Sequence, residues 1–272
     1  GSLGRAGGPA RPNGGGPVVR PQALELGAGV EGLYTFVRDT IAYEAYAGSL
    51  RGARGALLSK AGNGLDQSSL LLALLRVHGI QGHYVQGRLG EEEARLLLRS
   101  MFDPAVAADA VGYVPDLFDR ADPEHSADLL NLIREHWWVE LEDGTVLDPS
   151  FADLEMGETR GVKLGTYDTI PDDLRHTVAV RLRVELHNPM SQYTHRTPLE
   201  AMLTTASVYG RALTFGHFVS HNQPPALVTG WKTYTYSPYL MVEDLQGELD
   251  NDHVIRGADY QEFFTSFLPL AN

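Results

Sequence analysis

The amino-acid sequence predicts an α+β fold, in which a central buried helix packs on an antiparallel sheet and a β-rich C-terminal region follows. Residues 65–78 (LDQSSLLLALLRVH) are apolar almost all round in their later turns, which is typical of a helix buried on every side. Residues 136–142 and 145–151 flank an Asp-Gly dipeptide and therefore predict a β-hairpin. Residues 177–186 alternate between apolar and polar side chains, the pattern of a half-buried strand.

The other elements of the first half follow from local patterns. Apolar side chains at three- and four-residue steps predict a helix over residues 24–46, and a Gly- and Arg-rich loop is expected over 48–64. A strand is predicted over 80–89 and an exposed helix over 91–101. Three prolines make 102–130 an irregular insertion.

The C-terminal part is predicted to be rich in strands. A helix is expected over residues 198–206, and strands over 208–219, 226–236 and 239–244. This part is either a second domain or an extension of the first sheet.

Three segments are expected along the chain. Residues 1–22 are rich in Gly and Pro and predict a flexible linker or tail. A linker would suggest that the chain is part of a larger polypeptide, whereas a native disordered tail is the alternative. Residues 23–172 are predicted to form the α+β domain and residues 173–272 the β-rich region.

Composition narrows the classes of partner. The 272 residues are 43% hydrophobic and 21% charged, which is ordinary for a globular chain. A net charge of −13 disfavours nucleic acid and anionic membranes as partners. No apolar run is long enough to predict a membrane span.

Residue types also limit the chemistry. The chain has no cysteine, which excludes disulfides, thiolate metal sites and thiol catalysis, but leaves the cellular compartment open. No nucleotide-binding motif is present, so no cofactor is expected. His217 and His221 stand four apart without an acidic residue at ligand spacing, so no metal site is predicted.

Three short pieces in chain order carry the functional argument. GNGLDQSSLL (62–71) opens the apolar helix, HWWVE (136–140) lies on the first hairpin strand, and LDPS (147–150) ends the second. This is the layout of a Cys-His-Asp thiol site. In such a site the helix N-terminus stabilises a thiolate, the histidine exchanges its proton, and the aspartate orients the imidazole.

The longer runs around these pieces resemble a known family. GNGLDQSSLLLALLRVHGIQGHYVQG is similar to the core motif of the bacterial transglutaminase-like superfamily, and HWWVELEDGTVLDPSF resembles its second motif. The resemblance covers residues 30–155 and implies a papain-type fold. It extends to cysteine-lacking variants within large secreted YD/Rhs-type repeat proteins. This implies a bacterial origin, a larger polypeptide, and a secreted or cell-surface location.

The resemblance places His136 at the catalytic histidine, Asp148 at the catalytic aspartate and Gly64 at the nucleophilic cysteine. Glycine carries no nucleophile, and Ser68 and Ser69 stand at least one helical turn further along and should point elsewhere. The acyl-enzyme chemistry of the family therefore cannot run here. A natural loss is favoured over an engineered one, because an engineered knock-out would more often use alanine or serine.

The cleft of the family would then be free to bind a peptide or protein segment. The side chains expected to line it are Asn63, Asp66, Gln67, Trp138 and Glu140. Two of them have a simpler interpretation, since Asp66 and Gln67 would also serve as a capping pair at the helix start. Trp137 and Trp138 are expected to pack, one toward the core and the other toward the cleft.

The length of the hairpin loop decides whether the side chains of His136 and Asp148 can meet. A two-residue turn at the Asp-Gly dipeptide would place His136 and Asp148 on opposite faces. The two side chains can meet only if the loop is longer or a β-bulge shifts the register. We therefore predict such an irregularity between Trp138 and Leu147.

The leading hypothesis is a non-catalytic domain that acts as a binding or scaffold module of a larger protein. One alternative is a nucleophile mutant of an active cysteine enzyme, either a transglutaminase or an amide-hydrolysing peptidase. Another is an enzyme in which His136 and Asp148 act on water or a proton without a covalent intermediate. A purely structural spacer is the third.

Overall fold

The computed structural model describes residues 16–102, 123, 126–188, 191–222, 231–242 and 254–265. It divides into two compact units, Gly1–His176 and Thr177–Asn272. Most of the predicted insertion over 102–130 lies outside the described residues. No helix in the described ranges is long and apolar enough to cross a membrane.

Unit 1 combines helices with a four-stranded sheet. Its helices are α1 (Val19–Leu26), α2 (Val30–Thr40), α3 (Gly52–Ser59), α4 (Gly64–Val77), α5 (Glu91–Ser100) and α6 (Ala127–Arg134). Its strands are β1 (Ala42–Tyr43), β2 (Ala61–Gly62), β3 (Gly82–Arg88), β4 (Glu135–Leu141), β5 (Val146–Leu147) and β6 (Val162–Tyr167). Strands β5, β4, β3 and β6 form an antiparallel sheet in that order, and β1 and β2 form a short parallel pair.

Helix α4 is the centre of unit 1, as predicted. Asn63 caps its first turn by accepting a hydrogen bond from the Asp66 backbone N–H at 2.9 Å. Its leucines are at most 1% exposed, and the helix contacts α1, α2, α3, β3 and β4. Burying each such leucine stabilises the fold by about 1.5–3 kcal/mol relative to an exposed one. This packing fixes the position of the N-terminal end of α4.

Three predictions for the N-terminal part of unit 1 differ from the structure. The single helix expected over 24–46 is two helices, because Gly27 adopts a left-handed φ of 80° and ends α1. Helix α1 also begins at Val19, inside the predicted linker, whose residues 1–15 lie outside the described part. The loop expected over 48–64 contains α3, whose first turn is capped by a side chain distant in sequence.

Unit 1 extends to His176 through backbone pairing. A 3₁₀ turn at Asp172–Leu174 leads into a bridge between Ser49 and Arg175. The Ser49 N–H donates to the Leu174 carbonyl at 2.7 Å, and the His176 N–H donates to the Ser49 carbonyl at 3.1 Å. The last residues before Thr177 are thus tied to the loop that precedes α3.

In its described residues, unit 2 is composed of strands with one short helix. Its elements are β7 (Thr177–Asn188), β8 (Ser191–Thr204), α7 (Thr205–Val208), β9 (Leu213–Asn222), β10 (Trp231–Val242), β11 (Val254–Arg256) and β12 (Tyr260–Thr265). Strands β7 and β8 form a hairpin, while β10 pairs with β9 on one side and with β11 and β12 on the other. The small core of the unit is formed by Leu199, Ala201 and Leu240.

The predicted helix over 198–206 is mainly a strand. Leu199 and Ala201 are buried while Glu200 and Met202 are exposed, so the segment alternates in β8 and pairs with β7. Cross-strand pairing overrides the local helix preference here. The two strands expected over 226–236 and 239–244 are one strand, β10, in the described range 231–242.

Candidate functional site

The hairpin loop between β4 and β5 has three residues rather than two. The Leu141 N–H donates to the Thr145 carbonyl, and the Gly144 N–H donates to the Leu141 carbonyl, both at 2.9 Å. Gly144 adopts a φ of 86°, the left-handed conformation that closes such loops. The predicted departure from a two-residue turn is confirmed. The extra residue places His136 and Asp148 on one face of the sheet.

A buried hydrogen bond joins these two side chains. His136 Nε2 lies 3.0 Å and 2.9 Å from the two carboxylate oxygens of Asp148. The two residues are 1% and 0% exposed. Asp148 also accepts a hydrogen bond from the Thr159 hydroxyl at 2.9 Å, and one from the Ser150 N–H at 3.3 Å. The carboxylate is therefore held from three directions, which satisfies a buried charge.

Gly64 lies on the other side of the imidazole. A Cβ atom built on Gly64 would be 3.3 Å from His136 Nδ1 and 3.2 Å from the Ser150 hydroxyl oxygen. Nδ1 thus faces the start of α4, while Nε2 faces Asp148. The structure thus brings Gly64, His136 and Asp148 together, with the imidazole between the other two residues.

The space for a side chain at residue 64 is nevertheless occupied. The same Cβ atom would lie 2.9 Å from the Trp137 carbonyl oxygen, whereas real Cβ atoms essentially never approach within 3.0 Å. This oxygen belongs to β4, so it cannot turn aside as a flexible side chain would. A cysteine at residue 64 would require the start of α4 and strand β4 to move apart.

Comparison with known proteins supplies the family. The family model of the transglutaminase-like superfamily matches residues 18–145. Residues 18–145 are a transglutaminase-like domain. The matched segment includes Gly64 and His136 and ends before Asp148, which the structure places beside the histidine. No curated protein and no solved structure shows a significant match to the chain.

Asp66 of the transglutaminase-like domain is a structural anchor. Its carboxylate is 0% exposed and accepts five hydrogen bonds. The donors are the hydroxyls of Tyr46 and Ser49 at 2.8 Å and 2.7 Å, and the backbone N–H groups of Leu50, Arg51 and Gly52 at 3.1 Å, 2.7 Å and 2.9 Å. Gly52 is the first residue of α3, and Leu50 and Arg51 directly precede it, so Asp66 caps α3 rather than its own helix. The α3 helix was missed because its cap is supplied by a residue of α4.

Asn63 and Gln67 are buried and hydrogen-bonded within the chain. The Asn63 amide donates to the carbonyls of Tyr46 and Gly48 at 2.9 Å and 2.7 Å. The Gln67 amide donates to the Ile41 carbonyl at 2.8 Å and accepts from the Ser150 hydroxyl at 2.7 Å. Their polar atoms hold α4 to neighbouring segments of the same chain and do not line an open cleft.

The two tryptophans lie on opposite faces of β4. Trp137 belongs to the core around α4, and Trp138 lies on the face of His136, with ring centroids 5.9 Å apart. Both are at most 4% exposed. Cβ atoms built on Gly87 and Gly161 would lie 2.2 Å and 2.7 Å from the Trp138 ring, so these glycines make room for it. Trp138 thus covers the histidine and leaves no open surface above it.

Glu140 is the one cleft candidate that is not buried. Its carboxylate forms an ion pair with Lys163, at 2.7 Å, and its side chain is 27% exposed. The ion pair joins β4 to β6 across β3. An exposed pair of this kind contributes little to stability, about 0–1 kcal/mol.

Neutral phenols surround the buried carboxylates. Burial, and next the charge of Asp148, raises the pKa of Tyr34 to about 12. Burial and Asp148 likewise raise the pKa of Tyr43, and burial and Asp66 raise the pKa of Tyr46. The Tyr34 hydroxyl lies 2.9 Å from the Leu154 carbonyl and 3.1 Å from that of Asp148. These tyrosines act as hydrogen-bond donors and stay protonated at neutral pH.

Several supporting residues escaped the sequence argument. Thr159 lies outside both motifs, and no local pattern marks it as a partner of Asp148. Ser150 stands within a quoted motif, but its bond to Gln67 spans 83 residues. Gly87 did carry a signal, since a glycine inside a strand often marks a close approach by another group. Within the described ranges, no group of three or more histidine, aspartate or glutamate side chains could hold a metal ion.

Proposed function

We propose that this transglutaminase-like domain is non-catalytic and acts as a scaffold or binding module. The main support is the Trp137 carbonyl oxygen, which lies 2.9 Å from the position that a nucleophile's Cβ would take at residue 64. The chain also contains no cysteine. Together these observations support a site without a nucleophile and with too little room for one at residue 64.

The serine hydroxyls near residue 64 donate hydrogen bonds to groups other than His136. Ser68 donates to the Gly64 carbonyl at 2.6 Å and Ser69 donates to the Leu65 carbonyl at 2.8 Å, so both bind to the preceding helical turn. Ser150 donates to Gln67. A serine nucleophile would instead direct its hydroxyl at the histidine that removes its proton.

Burial also disfavours water chemistry by the dyad. His136 and Asp148 are at most 1% exposed, and Trp138 and Phe151 pack against the imidazole ring. A general base must come within hydrogen-bond reach of the proton that it removes. A substrate has no path to the imidazole in this packing. The dyad is therefore proposed to stabilise the hairpin rather than to act on a substrate.

A second candidate function has one observation in its favour. His136 Nδ1 lies 3.3 Å from the position that a Cβ atom at residue 64 would take, with Asp148 on the opposite nitrogen. This orientation would suit a cysteine enzyme seen as its nucleophile mutant, of the acyl-transfer or amide-hydrolysing kind. The two candidates differ in what a thiol at residue 64 would do.

The partner and setting of the module belong to the same proposal. A peptide or protein segment is the proposed partner, and it would bind outside the buried dyad, because four of the five expected cleft residues are at most 7% exposed. The larger, secreted bacterial protein that the motif resemblance implies is the proposed setting.

The deciding experiment is Gly64→Cys, with Gly32→Cys as the matched control. Gly32 is an exposed residue of α2 with no atom within 4 Å of its Cβ position, so a cysteine there should alkylate with an ordinary pKa of about 8.5. We expect the thiol at residue 64 to be shielded and to alkylate at least about tenfold more slowly at pH 8. The Gly64→Cys variant should transfer amines into glutamine peptides, and hydrolyse amides, no faster than the His136→Ala variant does.

The opposite result is equally clear. Fast alkylation of Gly64→Cys at pH 6, lost in the double variant with His136→Ala, would show a thiolate activated by the imidazole. Restored acyl transfer would then establish the second candidate and end the proposal of a non-catalytic module.

A further inference from the structure

A pocket of about 500 Å³ lies in unit 1 at the end of α4 remote from Gly64. Its charged lining consists of Arg76, His83, Glu142 and Asp168. Such a volume is within the range of small-molecule sites, roughly 300–1,000 Å³.

Three elements place this pocket away from the dyad. Arg76 stands in the last turn of α4, about 18 Å along the helix from Gly64 at 1.5 Å per residue. His83 is near the start of β3, whose other end pairs with His136. Glu142 follows the end of β4, the strand on which His136 stands near the beginning. The pocket and the dyad are thus separate sites at opposite ends of the same sheet.

Arg76 is the group that points to a ligand. Arg76 is half-buried, and its guanidinium has no hydrogen-bond or ion-pair partner among the described residues. A partly desolvated guanidinium favours a carboxylate, because its N–H groups match the two oxygens of that group. The acidic side chains of the pocket do not pair with Arg76, since neither Glu142 nor Asp168 lies within ion-pair distance of its guanidinium.

The acidic side of the pocket favours a cation. Asp168 binds His83 Nδ1 at 2.7 Å through one oxygen, which leaves its other oxygen and the exposed carboxylate of Glu142 as acceptors. Without His83, the charges of Arg76, Glu142 and Asp168 sum to −1. A simple anion would therefore meet repulsion, whereas an ammonium group would be attracted.

From this charge pattern we infer that the pocket binds a small zwitterion, of the class of free α-amino acids. Its carboxylate binds Arg76, and its ammonium group binds Glu142 and Asp168. The polar side chains of Gln81 and Thr169 complete the lining. A basic amino acid is preferred over an acidic one, because the lining carries the net negative charge. This inference goes beyond the proposed function and does not depend on it, since activity at residue 64 would leave the pocket unchanged.

Calorimetric titration of the full chain tests the inference. The probes are L-lysine, L-alanine, L-glutamate, acetate and ethylamine at up to about 10 mM. We expect affinity to fall from L-lysine to L-alanine to L-glutamate, with acetate and ethylamine each at least about tenfold weaker than L-alanine. Arg76→Gln should weaken L-lysine binding by about tenfold or more, and Glu142→Gln by a smaller factor.

The matched controls are Arg20→Gln and Glu25→Gln, which make the same charge changes on exposed positions of α1. They should leave binding unchanged, and thermal unfolding should show that all four variants are folded. Absence of binding by every probe would overturn the inference. So would equal binding of acetate and L-alanine, or binding by Arg76→Gln within about twofold of the parent chain.

Discussion

The two ends of helix α4 differ in the burial and hydrogen bonding of their polar side chains. At the N-terminal end, Asn63, Asp66 and Gln67 are buried, and each has hydrogen-bond partners within the chain. At the C-terminal end, Arg76 lines an open pocket without a partner among the described residues. Arg76 lies in the same family-like run as Gly64, so one run contains both the closed end of the helix and the end that opens onto the pocket.

The buried pairing gives His136 and Asp148 a role in stability that does not depend on catalysis. Removing one member of a buried, paired charge costs about 3–5 kcal/mol, because the partner is left unsatisfied. That is a large share of the total stability of a domain, about 5–15 kcal/mol. His136 and Asp148 are worth keeping for stability alone, so their presence is weak support for catalysis.

The largest loss of stability is expected from Asp66→Ala. It strips five hydrogen bonds from one carboxylate and leaves the backbone N–H groups at the start of α3 without acceptors. We expect urea denaturation to show a loss of about 3–5 kcal/mol in the free energy of unfolding. At the other end of α4, Arg76→Gln should change it by less than about 0.5 kcal/mol. Equal losses of unfolding free energy in the two variants would contradict the difference between the two ends of α4.

Alkaline pH should weaken the closed end by a smaller amount. The Tyr34 phenol ionises near pH 10 in the unfolded chain but keeps its proton to about pH 12 in the folded one. Its stabilisation is therefore complete below pH 10 and is lost as pH rises from 10 to about 12. The loss from this group is at most about 2–3 kcal/mol, measured by urea denaturation at pH 8 and pH 11.5.

Tyr34→Phe is the control for this pH dependence. The variant should be less stable than the parent at pH 8, because the hydroxyl bonds to Leu154 and Asp148 are gone. Its stability should nevertheless fall less between pH 10 and 12. A parent chain whose stability is flat over that range would contradict the role given to the buried phenol.

The smallest effect is expected from Gly64→Ala, and its sign is informative. Alanine favours a helix over glycine by about 1 kcal/mol, but at residue 64 its methyl group would meet the Trp137 carbonyl oxygen. We expect a net loss of about 1–2 kcal/mol in unfolding free energy. Gly32→Ala, in the open on α2, should instead gain about 0.5–1 kcal/mol. A gain at both positions would show that the space beside Gly64 is free.

Local patterns predicted the elements around the site with good accuracy. The predicted helix over 65–78 is observed as Gly64–Val77, and the predicted strand over 80–89 as Gly82–Arg88. The return strand expected over 145–151 is shorter, Val146–Leu147, because the chain leaves the sheet at Asp148 to reach His136. Predictions failed where a distant residue decides the local structure, as Asp66 does for α3.

Periodicity and turn chemistry, which neighbouring residues carry, were enough to predict the buried helix, the hairpin, and the order of the glycine, histidine and aspartate along the chain. Three features emerge only when the chain is folded. The hairpin loop has three residues, Asp66 caps another helix, and the Trp137 carbonyl lies where a side chain at residue 64 would begin. Those features depend on distances between residues far apart in sequence, and a shift of a few tenths of an ångström in the packing of α4 on β4 would change the outcome.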